Sequence, residues 1–176
     1  MPEDNAVIKI TQSWIDKFII GRSICPFAKH IPRGKLRLEI DSSSTLSTNL
    51  ENLSIELERL KQNRDIETTL IIYPNADKDF LVFLDLYYAC NQLIEDLDLI
   101  AEYQLVSFHP TFRFDNENPD DSAHFTNRSP YPMIHILRES SVTKAVDTHP
   151  DVDSIPERNM AYLRNKPSSY WEGMEY

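Results

Sequence analysis

The chain has 176 residues, which is the size of one ordinary domain. Its 28 acidic residues outnumber the 18 basic ones and give a formal net charge of −10. Nucleic acid and anionic membranes are therefore poor partners, because both are bound mainly through lysine and arginine. The three glycines are too few for the glycine-rich phosphate loops of nucleotide-binding folds. The amino terminus is acidic and no apolar run approaches the about 18 residues of a membrane span, so we expect a cytoplasmic protein.

The amino-terminal half predicts helices alternating with strands. Apolar residues between Ala6 and Ile20 recur every three or four positions, which is typical of an amphipathic helix, and Gly21 suits its end. The alternating residues 36–40 and the β-branched run 68–73 predict strands, the second of them buried on both faces. A stripe of leucines between these strands predicts a helix with one apolar face: Leu46, Leu50, Leu53, Leu57 and Leu60.

The carboxyl-terminal half continues the same pattern. After Asp77, which is placed to cap a helix, apolar residues cover more than half of the helix circumference. Further strands are predicted at 103–108 and 133–137, and further helices at 141–146 and 154–163. Ser154 and Glu157 have the spacing of a capping box at the start of the last helix.

These elements place the chain in the α/β or α+β class. We expect a single domain over residues 1–176, built as a sandwich of a four-stranded mixed sheet with covering helices. The loop 110–132 contains four aromatic residues and no glycine, so it is expected to be ordered. For the tail 166–176, packing on the domain, docking on a neighbour and a loose end all remain open.

The two cysteines are interpreted as reduced thiols. Cys90 lies inside a predicted helix and suits a packed thiol. Cys25 precedes Pro26 at a break after a helix, so it is a candidate nucleophile or acid, although an apolar flank equally suits core packing. His109 follows a strand, where open α/β sheets place their ligands, and is a candidate acid or base.

The long loop and the last strand supply polar groups that could orient a substrate. Arg128 could bind an anion or simply pair with Asp120 or Asp121. His135, flanked by isoleucines, could bind a ligand or be a hydrogen-bonded core residue, and Arg138 could meet an anion or be a surface charge. The candidate substrate-binding residues are Asn127, Arg128, Tyr131, His135 and Arg138.

Several segments carry a resemblance that spans almost the whole chain. The most specific are Ile24-Cys25-Pro26-Phe27-Ala28, Ser107-Phe108-His109-Pro110, Thr126-Asn127-Arg128-Ser129-Pro130-Tyr131-Pro132 and His135-Ile136-Leu137-Arg138-Glu139. In these segments the chain resembles the uncharacterised bacterial family catalogued as domain of unknown function 1415. The resemblance implies no established reaction, cofactor or catalytic residue.

Three functional hypotheses rest on these residues. The first is an enzyme acting on a polar or anionic metabolite, with Cys25 and His109 as catalytic residues and the substrate-binding set above. The second is a binding or sensing domain that holds an acidic small ligand through Arg128 and Arg138. The third is a metal-dependent enzyme using His109, His135 and Asp121, a set to which Cys25 could add a zinc ligand, although nothing spaces these residues as a metal motif.

An interaction protein is a fourth reading. No cofactor is predicted, and whether the chain is an enzyme and how many copies assemble are left open.

Overall fold

The computed structural model describes residues 4–115 and 117–174, apart from the side chain of Arg33. The strands are β1 (Leu36–Ile40), β2 (Thr68–Ile72), β3 (Tyr103–Phe108) and β4 (Met133–Arg138). The α-helices are α1 (Asp4–Trp14), α2 (Leu46–Gln62), α3 (Phe80–Asp96), α4 (Glu139–Thr148), α5 (Ile155–Arg164) and α6 (Ser168–Glu172). A π-helical segment, Ile15–Ile20, continues α1, and a 3-10 helix, Ser122–Thr126, lies in the loop between β3 and β4.

The sheet is mixed, with the strand order β1-β2-β4-β3. β1 pairs with β2 in parallel, whereas β4 runs antiparallel to both β2 and β3. The predicted class, α/β or α+β, and the predicted four-stranded mixed sheet with covering helices are therefore confirmed. Because β4 lies between β2 and β3, the three strands β1, β2 and β3 all point the same way, and their carboxyl ends share one edge of the sheet.

Helices cover both faces of the sheet. Successive side chains of a strand point to opposite faces, so each strand can contribute to two cores. On one face, Ile71 and Ile134 belong to an apolar core shared with α2 and α3. On the other face, Leu70 and Ile72 belong to a second core shared with α1, the π-helical segment, α5 and α6. All five residues of β2 are buried, as expected for a strand covered on both faces.

Two predicted helix caps are wrong. Asp79, not Asp77, caps α3, since its carboxylate accepts a hydrogen bond from the Leu81 amide at 2.9 Å. Asp77 instead accepts from the Asp79 amide in the preceding turn. Ser154 does not form a capping box, because its hydroxyl donates to Asp151. In both places the polar side chain that was predicted to cap the helix instead forms its hydrogen bond within the turn before the helix.

The long loop and the tail are both packed against the domain. The 3-10 helix of the loop buries Ala123 and Phe125. In the tail, Trp171 of α6 is 2% exposed, and its Nε1 donates to the carbonyl of Leu163 at 2.9 Å. The described part of the tail therefore docks on its own domain. In the residues that the structure describes, no helix has the length and apolar character needed to cross a membrane.

Candidate functional site

Two cavities share the segment 125–129, where the long loop returns toward β4. Phe125, Arg128 and Ser129 line a polar cavity of about 500 Å³, whose other wall comes from the start of the loop and from α6. Thr126 and Asn127 line an apolar cavity of about 260 Å³ between the π-helical segment and the sheet. The polar cavity lies where the loop leaves the carboxyl end of β3, the place where open α/β sheets bind their ligands.

Arg128 is the main charged group of the polar cavity. Its Nε donates to the carbonyl of Phe112 at 3.2 Å, and its guanidinium lies 4.6 Å from the ring centre of Phe125. The side chain is 14% exposed, and its nearest carboxylate, that of the exposed Glu172, is 3.8 Å from Nη1. Burial lowers the pKa of Arg128. Among the described residues, neither terminal nitrogen of Arg128 has a hydrogen-bond acceptor, so these nitrogens are available to a ligand.

A second cation, Arg113, lines the same cavity and acts electrostatically on Arg128, further lowering its pKa. Arg113 is exposed and forms no ion pair within residues 4–115 and 117–174. The lining also includes the hydroxyl-bearing Ser129 and Ser168, each of which donates to a backbone carbonyl. Two carboxylates, those of Asp120 and Glu172, line the cavity as well. The cavity therefore combines two guanidinium groups with two carboxylates, and the terminal nitrogens of Arg128 still have no hydrogen-bond acceptor among the described residues.

The apolar cavity is walled on one side by the π-helical segment, through Ile15, Asp16, Ile19 and Ile20. Gly21 closes this segment with an amide hydrogen bond to the carbonyl of Asp16. A Cβ at Gly21 would lie 2.5 Å from the carbonyl oxygen of Lys17, so the close approach requires glycine. π-helical turns occur frequently at functional sites.

His135 lies on the sheet side of the apolar cavity. Its Nε2 is 2.7 Å from the Thr68 hydroxyl, which in turn donates to the carbonyl of Ile136 at 2.6 Å. The hydroxyl therefore accepts from Nε2, and Nδ1 carries the lone pair. Nδ1 has no hydrogen-bond partner in the described part of the chain. Burial lowers the pKa of His135 to about 4, so the ring is neutral at physiological pH.

Cys25 and Asn127 also line the apolar cavity. Cys25 follows the π-helical segment and is partly buried. Asn127 is fixed by its side-chain amide, which donates to the carbonyl of Ser107 at 3.1 Å, so its side-chain oxygen remains an acceptor. Three of the predicted site residues, Cys25, Asn127 and His135, are therefore brought to one cavity, and a fourth, Arg128, lies in the neighbouring one.

A family model described as "Protein of unknown function (DUF1415)" matches residues 6–173. The chain belongs to this DUF1415 family. The resemblance noted in its sequence is thereby confirmed over nearly its whole length. No curated protein and no solved structure matches it.

In this DUF1415 chain, His109 is not near Cys25. Its Nε2 donates to the carbonyl of Asp77 at 3.1 Å, and its Nδ1 accepts from the amide of Thr111, also at 3.1 Å. The ring packs between Phe80 and Phe83 of α3, on the face opposite to the apolar cavity. Burial lowers the pKa of His109. With both nitrogens paired, His109 holds the start of the loop against α3.

Arg138 is likewise occupied by the protein. It is 6% exposed, and its Nη2 donates to the carbonyls of Leu60, Asn63 and Ile66 at 2.6, 3.3 and 2.9 Å. These carbonyls lie at the end of α2 and in the turn that follows it. Arg138 is therefore neither a surface charge nor a ligand of either cavity. Tyr131 packs, partly buried, in the core of the α1 face.

The residues considered as metal ligands are held apart. Asp121 pairs with Arg164 at 2.7 Å and accepts from the Ala123 amide at 2.8 Å. The Arg164 hydrogen bonds hold the pKa of Asp121 down at about 2. Among the residues that the structure describes, no three His, Cys, Asp or Glu side chains are grouped closely enough to hold a metal ion.

Two features of the cavities were missed in the sequence. Arg113 was not considered, although it follows Phe112 in the loop already identified as a site. Trp14 lines the apolar cavity, is 2% exposed, and has an Nε1 that is fully buried and makes no hydrogen bond with the described residues. Its position on an apolar helix face predicted only core packing, and no signal in the sequence marks the unpaired nitrogen.

The two thiols are expected to differ in reactivity. Cys90 is fully buried, and burial together with the charge of Asp41 raises its pKa to about 12. Cys25 is partly exposed beside a cavity. We expect iodoacetamide at pH 8 to label Cys25 in the folded protein more than about 100-fold faster than Cys90, since the thiolate is the nucleophile. Peptide mass spectrometry over time measures both rates, and equal rates after unfolding in guanidinium serve as the control. Equal rates in the folded protein would contradict this assignment.

Proposed function

We propose that the chain binds a small anionic metabolite in the polar cavity, working in the cytoplasm as a binding or sensing domain. The observation that carries the proposal is Arg128: a largely buried guanidinium whose terminal nitrogens have no acceptor among the described residues and face a cavity of about 500 Å³. The exposed Glu172, 3.8 Å from Nη1, is too distant for a hydrogen bond, so it offsets little of the cost of burying this cation. An anionic ligand removes that cost by forming charge-assisted hydrogen bonds.

The ligand class follows from the geometry of guanidinium. Arginine presents parallel N–H donors that match a carboxylate or a phosphate. Arg128 is fixed by Phe112 and Phe125 and Arg113 is exposed beside it, so one anchored and one adaptable cation are available. The cavity volume lies within the range of small-molecule sites. A metabolite with one or two carboxylate or phosphate groups fits this description.

The thiol-enzyme hypothesis receives less support from the geometry. His109, its expected acid or base, has both nitrogens paired on the opposite face. His135 does line the same cavity as Cys25, but burial holds its pKa at about 4. A charged imidazolium that would stabilise a Cys25 thiolate is therefore disfavoured there.

Replacing Arg128 with glutamine is expected to weaken anion binding about 10- to 100-fold, because a charge-assisted contact is lost. The probes are phosphate, citrate, succinate and glucose 6-phosphate, with glucose as the neutral match. The increase in melting temperature selects the anion that binds, and isothermal titration then measures its affinity for each variant.

Two variants control this experiment. Glu172→Gln removes the carboxylate that competes for Arg128, and we expect it to strengthen binding of the same anion. Arg158→Gln changes an exposed arginine away from the cavity and should leave affinity unchanged. If none of the anions raises the melting temperature at millimolar concentration, or if Arg128→Gln binds as tightly as the wild type, the proposal fails.

A further inference from the structure

The apolar cavity differs from the polar one because no cation lines it. Among the described residues on its wall, Asp16 is the one carboxylate and there is no lysine or arginine. His135 is neutral there. An anion entering this cavity would lose its hydration without gaining a cation. A ligand that fits this cavity would therefore be neutral, unlike the anion proposed for the polar cavity.

The cavity also holds a polar group that has no hydrogen-bond partner in the described part of the chain. His135 Nδ1 is an acceptor, because Nε2 uses its proton on the Thr68 hydroxyl, which itself donates to the carbonyl of Ile136. Trp14 Nε1 also lacks a partner among the described residues, but it is fully buried and so lies out of reach of a molecule in the cavity. Polar groups in an apolar surrounding are normally paired. A hydroxyl group of a ligand can donate to His135 Nδ1.

The size of the cavity limits the rest of the molecule. A cavity of about 150 Å³ lined by apolar side chains is enough to hold benzene, and this one measures about 260 Å³. Its wall is largely aliphatic and aromatic, including Ile19, Leu70 and Phe108. One ring with a small substituent therefore fits, and contact with the apolar wall favours a hydrocarbon body.

We propose that the apolar cavity is a second ligand site, which binds a neutral, ring-sized apolar molecule through one hydroxyl group that donates to His135 Nδ1. The Cys25 thiol lies at the same site, so occupancy restricts access to it.

Phenol and toluene test this site because they have nearly the same shape and differ in the hydroxyl. We expect the wild type to bind phenol about tenfold more tightly than toluene, the effect of one buried hydrogen bond. Dissociation constants come from protein chemical-shift titrations. In His135→Phe, which keeps an aromatic ring, the preference for phenol should fall toward one. Phenol should also slow the alkylation of Cys25 in the wild type.

Two further variants locate the binding. Ala28 lines the apolar cavity, and Ala28→Leu should abolish binding of both probes by filling it. Arg128→Gln, which tests the polar cavity, should leave both probe affinities unchanged, so the two proposals fail separately. Equal affinity of the wild type for phenol and toluene overturns the proposal, as does absence of binding or binding that survives in Ala28→Leu. These readings need only the wild type and Ala28→Leu, so the test stands even if His135→Phe does not fold.

Discussion

Replacing Arg138 with methionine is expected to lower the free energy of unfolding by about 3–5 kcal/mol. Methionine keeps much of the side-chain volume but removes the donor that serves the carbonyls of Leu60, Asn63 and Ile66. The carbonyls of Leu60 and Asn63 lie at the end of α2, where a helix leaves its last acceptors without partners, and that of Ile66 lies in the turn that follows. Because Arg138 is 6% exposed, water cannot easily replace it. Urea denaturation followed by circular dichroism measures the loss.

Two substitutions bracket this result. Arg138→Lys keeps the charge but has a single ammonium in place of the guanidinium fork, so we expect an intermediate loss of stability. Arg158→Met removes an exposed arginine of α5 and should change the free energy of unfolding by no more than about 0.5 kcal/mol. If Arg138→Met unfolds at the same urea concentration as the wild type, the assignment of Arg138 as a brace for α2 is wrong.

Much of the fold could be predicted from the sequence because its elements are strongly patterned. The leucine stripe identifies α2, and the β-branched run at 68–73 identifies a strand covered on both faces. The insertion of β4 between β2 and β3 could not be predicted, since alternation along a strand does not reveal which strand lies beside it. The π-helical segment was also missed, because residues 6–20 keep a helical periodicity in either form.

The candidate site was harder to predict, since it depends on register. Ser107 pairs with Ile134 across the sheet, so His109, two residues beyond Ser107, shares its face, whereas His135 points to the other. Cys25 therefore lies with His135 and not with His109. The same pairing places Arg138 opposite Tyr103, on the face covered by α2. Arg128 could be identified from the sequence because it lies in a loop, where the placement of a side chain does not depend on strand register.

The protein is expected to lose stability between about pH 6.5 and pH 4 through His135. Burial lowers the pKa of this ring from 6.5 to about 4 in the folded protein, so in this window the unfolded chain binds a proton that the folded chain does not. The free energy of unfolding is therefore not reduced by this ring above about pH 6.5, and it decreases as the pH falls toward 4. Since each unit of pKa corresponds to about 1.4 kcal/mol, the loss is about 3 kcal/mol. Urea denaturation at pH 7.5, 6, 5 and 4.5 measures it.

Histidine variants separate His135 from other titrating groups. His135→Phe should remove most of the decline, whatever its stability at pH 7.5. A smaller decline should remain, because burial also lowers the pKa of His109. His30 is exposed, so His30→Gln should follow the wild-type curve. The pKa of Asp121 is held down at about 2 in the folded protein, so this carboxylate lowers stability mainly below the window and adds only a small slope at its acidic end. A wild-type decline that persists undiminished in His135→Phe would show that His135 is not neutral and buried, and would also remove the acceptor on which the apolar site depends.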